Sequence, residues 1–326
     1  MSLLAVEAVT VDLPTPRGML RAVDGVDITL AAGRTLGIVG ESGCGKTMLS
    51  RAILQLLPRQ AKLSGAIRFD GQDMTRLPAE TLRKLRARSI AVVFQDPMTS
   101  LNPVLTIGNQ ITETLREHLG LTQSEATRRG IALLEEVGIP SPDERMRAYP
   151  HQLSGGMRQR VAIAIAISCE PKLLIADEPT TALDVTVQAQ ILDLLAREQR
   201  TRQMAMVLVT HDLGVVAGRT DEVAVMYAGR IVERAPTRDL FRRMRMPYTA
   251  ALLAALPRMD TPPHTRLPAI GGRPPDPTRP LPGCSFAPRC KFAEADCQGA
   301  KPALTAADSA GHQFACFHPL ALAHAA

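Results

Sequence analysis

The chain contains no tryptophan, and only three tyrosines and seven phenylalanines stand among its 326 residues. With 3% aromatics it has little on which unpaired bases could stack, so a single-strand nucleic-acid groove finds no support. Long hydrophobic runs are missing too. No uninterrupted apolar stretch approaches the roughly 20 residues of a membrane-spanning helix. The opening Met1-Ser2-Leu3-Leu4-Ala5-Val6-Glu7 has no basic residue ahead of an apolar core, so no signal peptide is expected. There is no internal repeat, no long coiled-coil insertion and no dense basic surface. These absences point to a cytosolic protein that is either free or docked on something in a membrane.

What is present is ordinary in bulk: 45% hydrophobic and 21% charged residues, enough for a large core and two domains. The net charge of +6 is uneven. Residues 235–326 carry 11 Lys and Arg against 6 Asp and Glu, and 14 of the 25 prolines lie between 236 and 319. The basic residues are scattered among those prolines rather than clustered. Residues 257–282 read as a linker or extended wrap.

The most informative stretch is Gly40-Glu41-Ser42-Gly43-Cys44-Gly45-Lys46-Thr47, which fits the phosphate-binding pattern G-x-x-x-x-G-K-[ST]. The apolar run Thr35 to Val39 before it reads as a buried strand. Met48 to Leu57 after it reads as a helix ended by Pro58. Glycines let the backbone curl so that several N–H groups face one anion, and the helix start adds its positive dipole end. Lys46 can reach the β- and γ-phosphates of a nucleotide, and the Thr47 hydroxyl can ligate Mg²⁺. A chance match arises in roughly one chain in a hundred at ordinary residue frequencies, and the strand–loop–helix context makes it rarer.

Residues 3–34 alternate apolar and polar, as in antiparallel strands joined at Pro14-Thr15-Pro16-Arg17-Gly18. Residues 65–71 and 89–94 are further short strands. From 105 to 149 the period becomes helical (Ile107, Ile111, Leu115; Ile131, Leu134, Val137), which predicts a helical subdomain whose second long helix stops at Gly138 and Pro140. Val161 to Ile167 predicts a helix, Leu173 to Ala176 a strand, Asp184 to Arg197 a helix, and Met206 to Thr210 a strand. Alternating strands and helices imply an α/β fold with a mainly parallel sheet and ligands at the strand C-termini.

Two more stretches carry chemistry. Leu173-Leu174-Ile175-Ala176-Asp177-Glu178-Pro179 is an apolar strand ending in two carboxylates. Alone it would be a solvated strand end. Downstream of a phosphate loop, Asp177 is placed to hold Mg²⁺ and Glu178 to polarise an attacking water. In Leu153-Ser154-Gly155-Gly156-Met157-Arg158-Gln159-Arg160, Ser154 reads as a helix cap. Two glycines beyond a cap weaken the helix, so they point to close approach of something anionic.

Together these three stretches resemble the ATPases of ABC transporters over residues 1–235, and the family's other stations follow in order. The resemblance implies a P-loop NTPase cassette with an antiparallel β subdomain and a helical subdomain at about 96–155. It implies ATP held by Gly40, Ser42, Gly43, Cys44, Gly45, Lys46, Thr47 and Met48. Gln95 is similar to the Q-loop residue that contacts Mg²⁺, Thr181-Ala182-Leu183-Asp184 to the D-loop, and His211 to the switch histidine on the γ-phosphate. The Ser154-Gly155-Gly156 stretch corresponds to the signature that closes on ATP held by a second subunit. Glu178, His211 and Lys46 are the implied catalytic residues; Thr47, Gln95 and Asp177 are the implied magnesium ligands. Two positions depart from the pattern. The family usually has an adenine-stacking aromatic near the place of Leu13, whereas no aromatic precedes Phe69 here. Cys44 stands where Ser is more usual, and a thiol there is open to oxidation.

Gln95-Asp96-Pro97-Met98-Thr99-Ser100-Leu101-Asn102-Pro103 resembles the peptide-importer branch of the family. So does Met246-Pro247-Tyr248-Thr249 ahead of the apolar stretch Ala250 to Leu256, although members commonly have His where Met246 stands. In this branch a tail similar to 236–326 holds a [4Fe–4S] cluster, here through Cys284, Cys290, Cys297 and Cys316. Read without the resemblance, four clustered cysteines in a cytosolic chain suggest a metal. Zinc sites usually show C-x2–4-C pairs, absent here, and four thiolates suit an iron–sulfur cluster. Zinc, with His312 and His318 as further ligands, and free thiols remain open. Arginines such as Arg289 could offset the negative charge of a cluster.

The resemblance thus implies an ATP-hydrolysing subunit for import of di- or oligopeptides. It would pair with a second ABC ATPase of a different chain and sit peripherally at the cytoplasmic face on two transmembrane permease subunits. A solute-binding protein would take part indirectly and nucleic acid would not. The rival reading is a soluble ABC-type ATPase acting on nucleic acid or ribosomes.

Overall fold

The computed structural model describes residues 2–96, 100–181, 183–256, 268–279, 281–307 and 311–321. Residues 97–99 of the Gln95 stretch, Ala182, and 257–267 of the expected linker lie outside them. Two compact units result. Residues 1–30, 35–75 and 208–326 form the first; 31–34 and 76–207 form the second. The Pro- and Cys-rich tail belongs to the same unit as the phosphate loop.

The first unit opens with two long strands, β1 (Ser2–Thr15) and β2 (Gly18–Ala31). The buried side chains run Leu4, Val6, then Val9, Val11, so the alternation slips by one residue. Ala8, with φ 45°, is the slip, and the register against the partner strand shifts between Glu7 and Thr10. Such a bulge re-phases a strand and keeps its apolar side on the core. Next come β3 (Thr35–Val39), α1 (Lys46–Ile53), β4 (Lys62–Phe69) and β5 (Gln72–Asp73). One sheet has the order β2-β1-β4-β5. Helix α1 ends four residues earlier than its apolar pattern predicts. Gln55 adopts φ 54° while its N–H and that of Leu56 reach back to the carbonyls of Ala52 and Arg51. This Schellman closure stops the helix before Pro58 can.

The second unit contains α2 (Ala79–Arg88), β6 (Ile90–Val93), α3 (Ile107–Leu119), α4 (Gln123–Glu136), α5 (Gly155–Ile167), β7 (Leu173–Asp177) and α6 (Val185–Arg202). The helical period expected from residue 105 is met at Ile107, Ile111, Leu115, Leu134 and Val137, all fully buried, while Ile131 is only half-buried and Leu133 takes the core position beside Leu134. Thr122 and Glu125 form a capping box that starts α4. Gly138, at φ 76°, ends it. β6 and β7 are parallel, with Val93 opposite Ala176. Helix α6 continues five residues beyond Arg197, where Glu198 accepts from both Arg197 and Arg202.

Strand β8 (Ala205–Thr210) begins in the second unit and ends in the first. The first unit then continues with α7 (Leu213–Val216), β9 (Glu222–Tyr227), β10 (Arg230–Pro236), α8 (Thr237–Arg243), α9 (Pro247–Ala254), β11 (Thr305–Ala306) and β12 (Gln313–Phe314). β3 runs parallel to β9. Ala228 and Gly229, both at positive φ, form a two-residue hairpin that turns β10 antiparallel. The tail strand β12 pairs with β10, so the tail extends this sheet. Buried Glu233 fastens it, accepting from the backbone N–H of Met246 (3.2 Å) and from His312 Nε2 (2.8 Å).

Candidate functional site

In the first unit every residue of β3 is buried, which fixes the strand that feeds the phosphate loop. Gly40 and Gly45 are required by sterics. A Cβ on Gly40 would lie 2.1 Å from the Met226 carbonyl oxygen, and one on Gly45 2.2 Å from that of Ala22. Gly43 and Gly45 adopt φ 80° and 108°, conformations that glycine reaches at no steric cost. α1 begins at Lys46 without a side-chain cap, so its dipole end faces the loop. The Lys46 side chain is buried, and its ammonium donates to the carbonyls of Gly40 (2.7 Å) and Glu41 (3.1 Å). Ser42 lies in the turn between these groups, and Thr47 and Met48 in the first turn of α1. Cys44 is buried, and burial pushes its thiol above the ordinary value. The expected oxidisable thiol is therefore a shielded one, since the thiolate is the reactive form.

His211 is exposed just past the buried end of β8. Asp212 behind it caps α7 by accepting from Gly214 N–H at 2.7 Å. Leu13, the position without its aromatic, is half-buried in β1.

In the second unit Asp177 is the buried last residue of β7. The parallel register places Gln95 and Glu178 each two residues beyond a paired position, Val93 and Ala176. That geometry brings them together: Gln95 Nε2 donates to Glu178 Oε2 at 3.0 Å, and Thr181 Oγ1 donates to the same oxygen at 3.1 Å. Glu178 itself sits at φ 48°, a conformation that costs a non-glycine residue roughly 1 kcal/mol or more and recurs at functional sites. Ser154 caps α5 by accepting from Met157 N–H at 3.3 Å. The two glycines beyond it differ. A Cβ on Gly155 would meet only the tip of Leu183 at 3.3 Å, whereas one on Gly156 would lie 2.7 Å from Val187 Cγ1. Gly156 thus has a packing reason that the sequence did not reveal.

The tail brings its cysteines to one place. Cys284 N–H donates to the Cys297 carbonyl at 2.8 Å, and no cysteine among the described residues is in a disulfide. Burial raises the thiols of Cys284, Cys290 and Cys316 above the ordinary value, that of Cys316 to about 11. The other three cysteines act electrostatically on Cys316 in the same direction. The two histidines weighed as zinc ligands part company. His312 is buried against Glu233, while His318 Nε2 contacts Asp296 at 2.8 Å. A ligand atom from each of His318, Asp296 and Cys297 lies within 4.8 Å of the others. Arg289 does not serve a cluster charge as expected. Its guanidinium is bidentate on Glu41 of the phosphate loop, at 2.6 and 2.9 Å.

A glycine-cradled lysine at a helix start, together with a strand-end Asp-Glu pair whose glutamate is held by a glutamine, defines an ATPase of the ATP-binding-cassette class. A family model described as ABC transporter matches residues 23–181, and one described as oligopeptide/dipeptide transporter, C-terminal region, matches residues 232–297. The oligopeptide transport ATP-binding protein OppD of Salmonella typhimurium is 48% identical over 318 residues, 98% of this chain and 94% of that protein. The dipeptide transport ATP-binding protein DppD of Bacillus subtilis is 48% identical over 304 residues, 93% of this chain and 90% of that one. Among solved structures, the cassette MJ0796, a dimer bound to ADP and phosphate after hydrolysis, superposes with a TM-score of 0.64 at 27% identity, covering 72% of this chain and 99% of that one. CbiO1 of Clostridium perfringens, part of the transporter complex cbiONQ, gives 0.63 at 30% identity over 74% and 90%. The chain belongs to the ABC transporter family, in its dipeptide/oligopeptide branch of ATP-binding subunits. No helix among the described residues is long and apolar enough to cross a membrane.

Proposed function

We propose that this chain is the ATP-hydrolysing subunit that powers import of di- or oligopeptides, docked peripherally on two membrane permeases at the cytoplasmic face. The carrying observation is that one chain matches both a cassette model and the oligopeptide/dipeptide transporter C-terminal region. Functionally, residues 1–235 act as the ATPase, with the helical subdomain at 96–155, and residues 236–326 as the importer-type tail.

Gly40 to Met48 cradle the triphosphate, and Lys46 moves from the Gly40 and Glu41 carbonyls onto phosphate oxygens. Thr47, Asp177 and Gln95 would hold Mg²⁺, which would supply charge neutralisation at the phosphates. Glu178 accepts the proton of the attacking water. Its Oε2 accepts from Gln95 and Thr181, which keeps the carboxylate aimed. His211 contacts the γ-phosphate. Ser154, Gly155 and Gly156 close on ATP held by a second ATPase subunit of a different sequence, and that closure drives the permeases.

Cys284, Cys290, Cys297 and Cys316, all free of disulfides, are the proposed ligands of a [4Fe–4S] cluster. Among the described residues no three of their sulfurs lie within 4.8 Å of one another. The ligand atoms of Cys297, His318 and Asp296 do lie within 4.8 Å of one another, so zinc held through His318 is the alternative occupant. Its role is structural, because this short segment has little core.

Reconstitution with the permeases and a solute-binding protein in proteoliposomes tests the reading. Peptide uptake should require ATP inside and should stop with Glu178→Gln, which retains ATP but loses about 10²–10⁴-fold in turnover. Turnover that survives the substitution removes Glu178 as the base. ATPase stimulated by nucleic acid, and not by the permeases, removes the transport reading.

A further inference from the structure

Arg289 lies in the turn between two cysteines of the tail, 248 residues from its partner in the phosphate loop. Its side chain is 3% exposed, and all five of its N–H donors have acceptors. Nη1 donates to Glu41 Oε2 (2.6 Å) and to the Tyr227 hydroxyl (3.2 Å). Nη2 donates to Glu41 Oε1 (2.9 Å) and the Ile270 carbonyl (3.3 Å), and Nε to the Gly271 carbonyl (2.8 Å). A planar guanidinium with every donor placed is a rigid fixture. Tyr248 completes it. The fully buried Tyr248 hydroxyl accepts the Glu41 backbone N–H at 2.9 Å, and its ring packs against Tyr227 and Phe286 at centroid distances of 4.5 and 5.3 Å.

The residue held in this way organises the loop. The Glu41 carbonyl accepts from the Lys46 ammonium (3.1 Å) and from Cys44 N–H (3.2 Å). The rest of the loop is glycine-rich, with Gly43 and Gly45 at positive φ, so it would lose the most conformational entropy on closing around an anion. An outside anchor at Glu41 lowers that loss before the ligand arrives.

We propose that Arg289 is a positioning residue for nucleotide binding: the cysteine-rich tail holds the phosphate loop in its binding shape through Glu41. The inference rests on assigning ATP to this loop. It also implies reciprocal coupling, in which nucleotide in the loop steadies the tail.

The test is calorimetric titration of MgADP into the full-length chain, a ligand that occupies the loop without turnover. Arg289→Gln should weaken MgADP about tenfold, and Arg289→Lys, a point charge without the fork, by less. Glu41→Gln separates positioning from plain charge. If Arg289 only masked a carboxylate that repels phosphate, removing that carboxylate would tighten binding; the anchor predicts weaker binding. The double variant should bind no worse than the weaker single. Lys301→Gln, which cuts another tail contact (Asp24, 2.8 Å), should lower Tm while leaving MgADP affinity within twofold. Wild-type chain that ignores MgADP overturns the ATP assignment itself. Wild-type affinity in Arg289→Gln, or tighter binding in Glu41→Gln, overturns the anchor alone.

Discussion

Alanine at Gly155 and at Gly156 should have opposite consequences, although the two glycines look alike in the sequence. A Cβ at Gly156 would lie 2.7 Å from Val187 Cγ1, well inside ordinary contact. Forcing a methyl into packed space costs about 1–3 kcal/mol. Replacing glycine by alanine in a helix returns about 1 kcal/mol, so Gly156→Ala should be destabilised by about 0–2 kcal/mol net. Val187→Ala removes the obstacle at about 0.8 kcal/mol for a half-buried side chain. The pair Gly156→Ala with Val187→Ala should therefore return to within about 1 kcal/mol of the starting protein. Gly155→Ala meets only a Leu183 methyl at 3.3 Å and should fold normally. If the helix start closes on a phosphate, however, the added methyl should hold that phosphate off the backbone N–H groups and lower turnover on the order of 10²-fold, the size of effect seen when an oxyanion contact is lost. Urea denaturation and phosphate release measure the two effects separately. A double variant no more stable than Gly156→Ala refutes the packing account. Full turnover in Gly155→Ala refutes the assignment of that glycine to phosphate.

Iodoacetamide at pH 7.5 should label Cys44 more slowly than a free thiol, because burial raises its pKa and only the thiolate reacts; Cys44→Ser should keep its ATPase activity. The Thr122 hydroxyl and N–H hold the Glu125 carboxyl below its ordinary 4.5. A lowered carboxylate stabilises the fold above its ordinary value, and that contribution disappears as pH falls through the lowered one. The Tm difference between wild type and Glu125→Gln should therefore be constant near pH 6 and shrink below pH 4. Anaerobically purified protein should carry iron and sulfide with strong visible absorption, while stoichiometric zinc would reject the cluster.

Some of this molecule is set by short-range pattern. The loop from Gly40 to Thr47, the strand ending at Asp177 and the helix capped by Ser154 are recognisable in the sequence, because each is a strand or helix joined directly to the residues that act. The helical period from Ile107 to Val137 is legible for the same reason. Tertiary structure alone decided the pairing of Gln95 with Glu178, which depends on the parallel register of β6 and β7, strands about 80 residues apart. It also decided that Gly156 serves Val187, that His312 belongs to Glu233, and that Arg289 reaches back to Glu41. Sequence spacing encodes which residues share one helix face or one turn. It does not encode which distant segments the burial of apolar surface will bring together, and those meetings determine what each charged side chain finds opposite it.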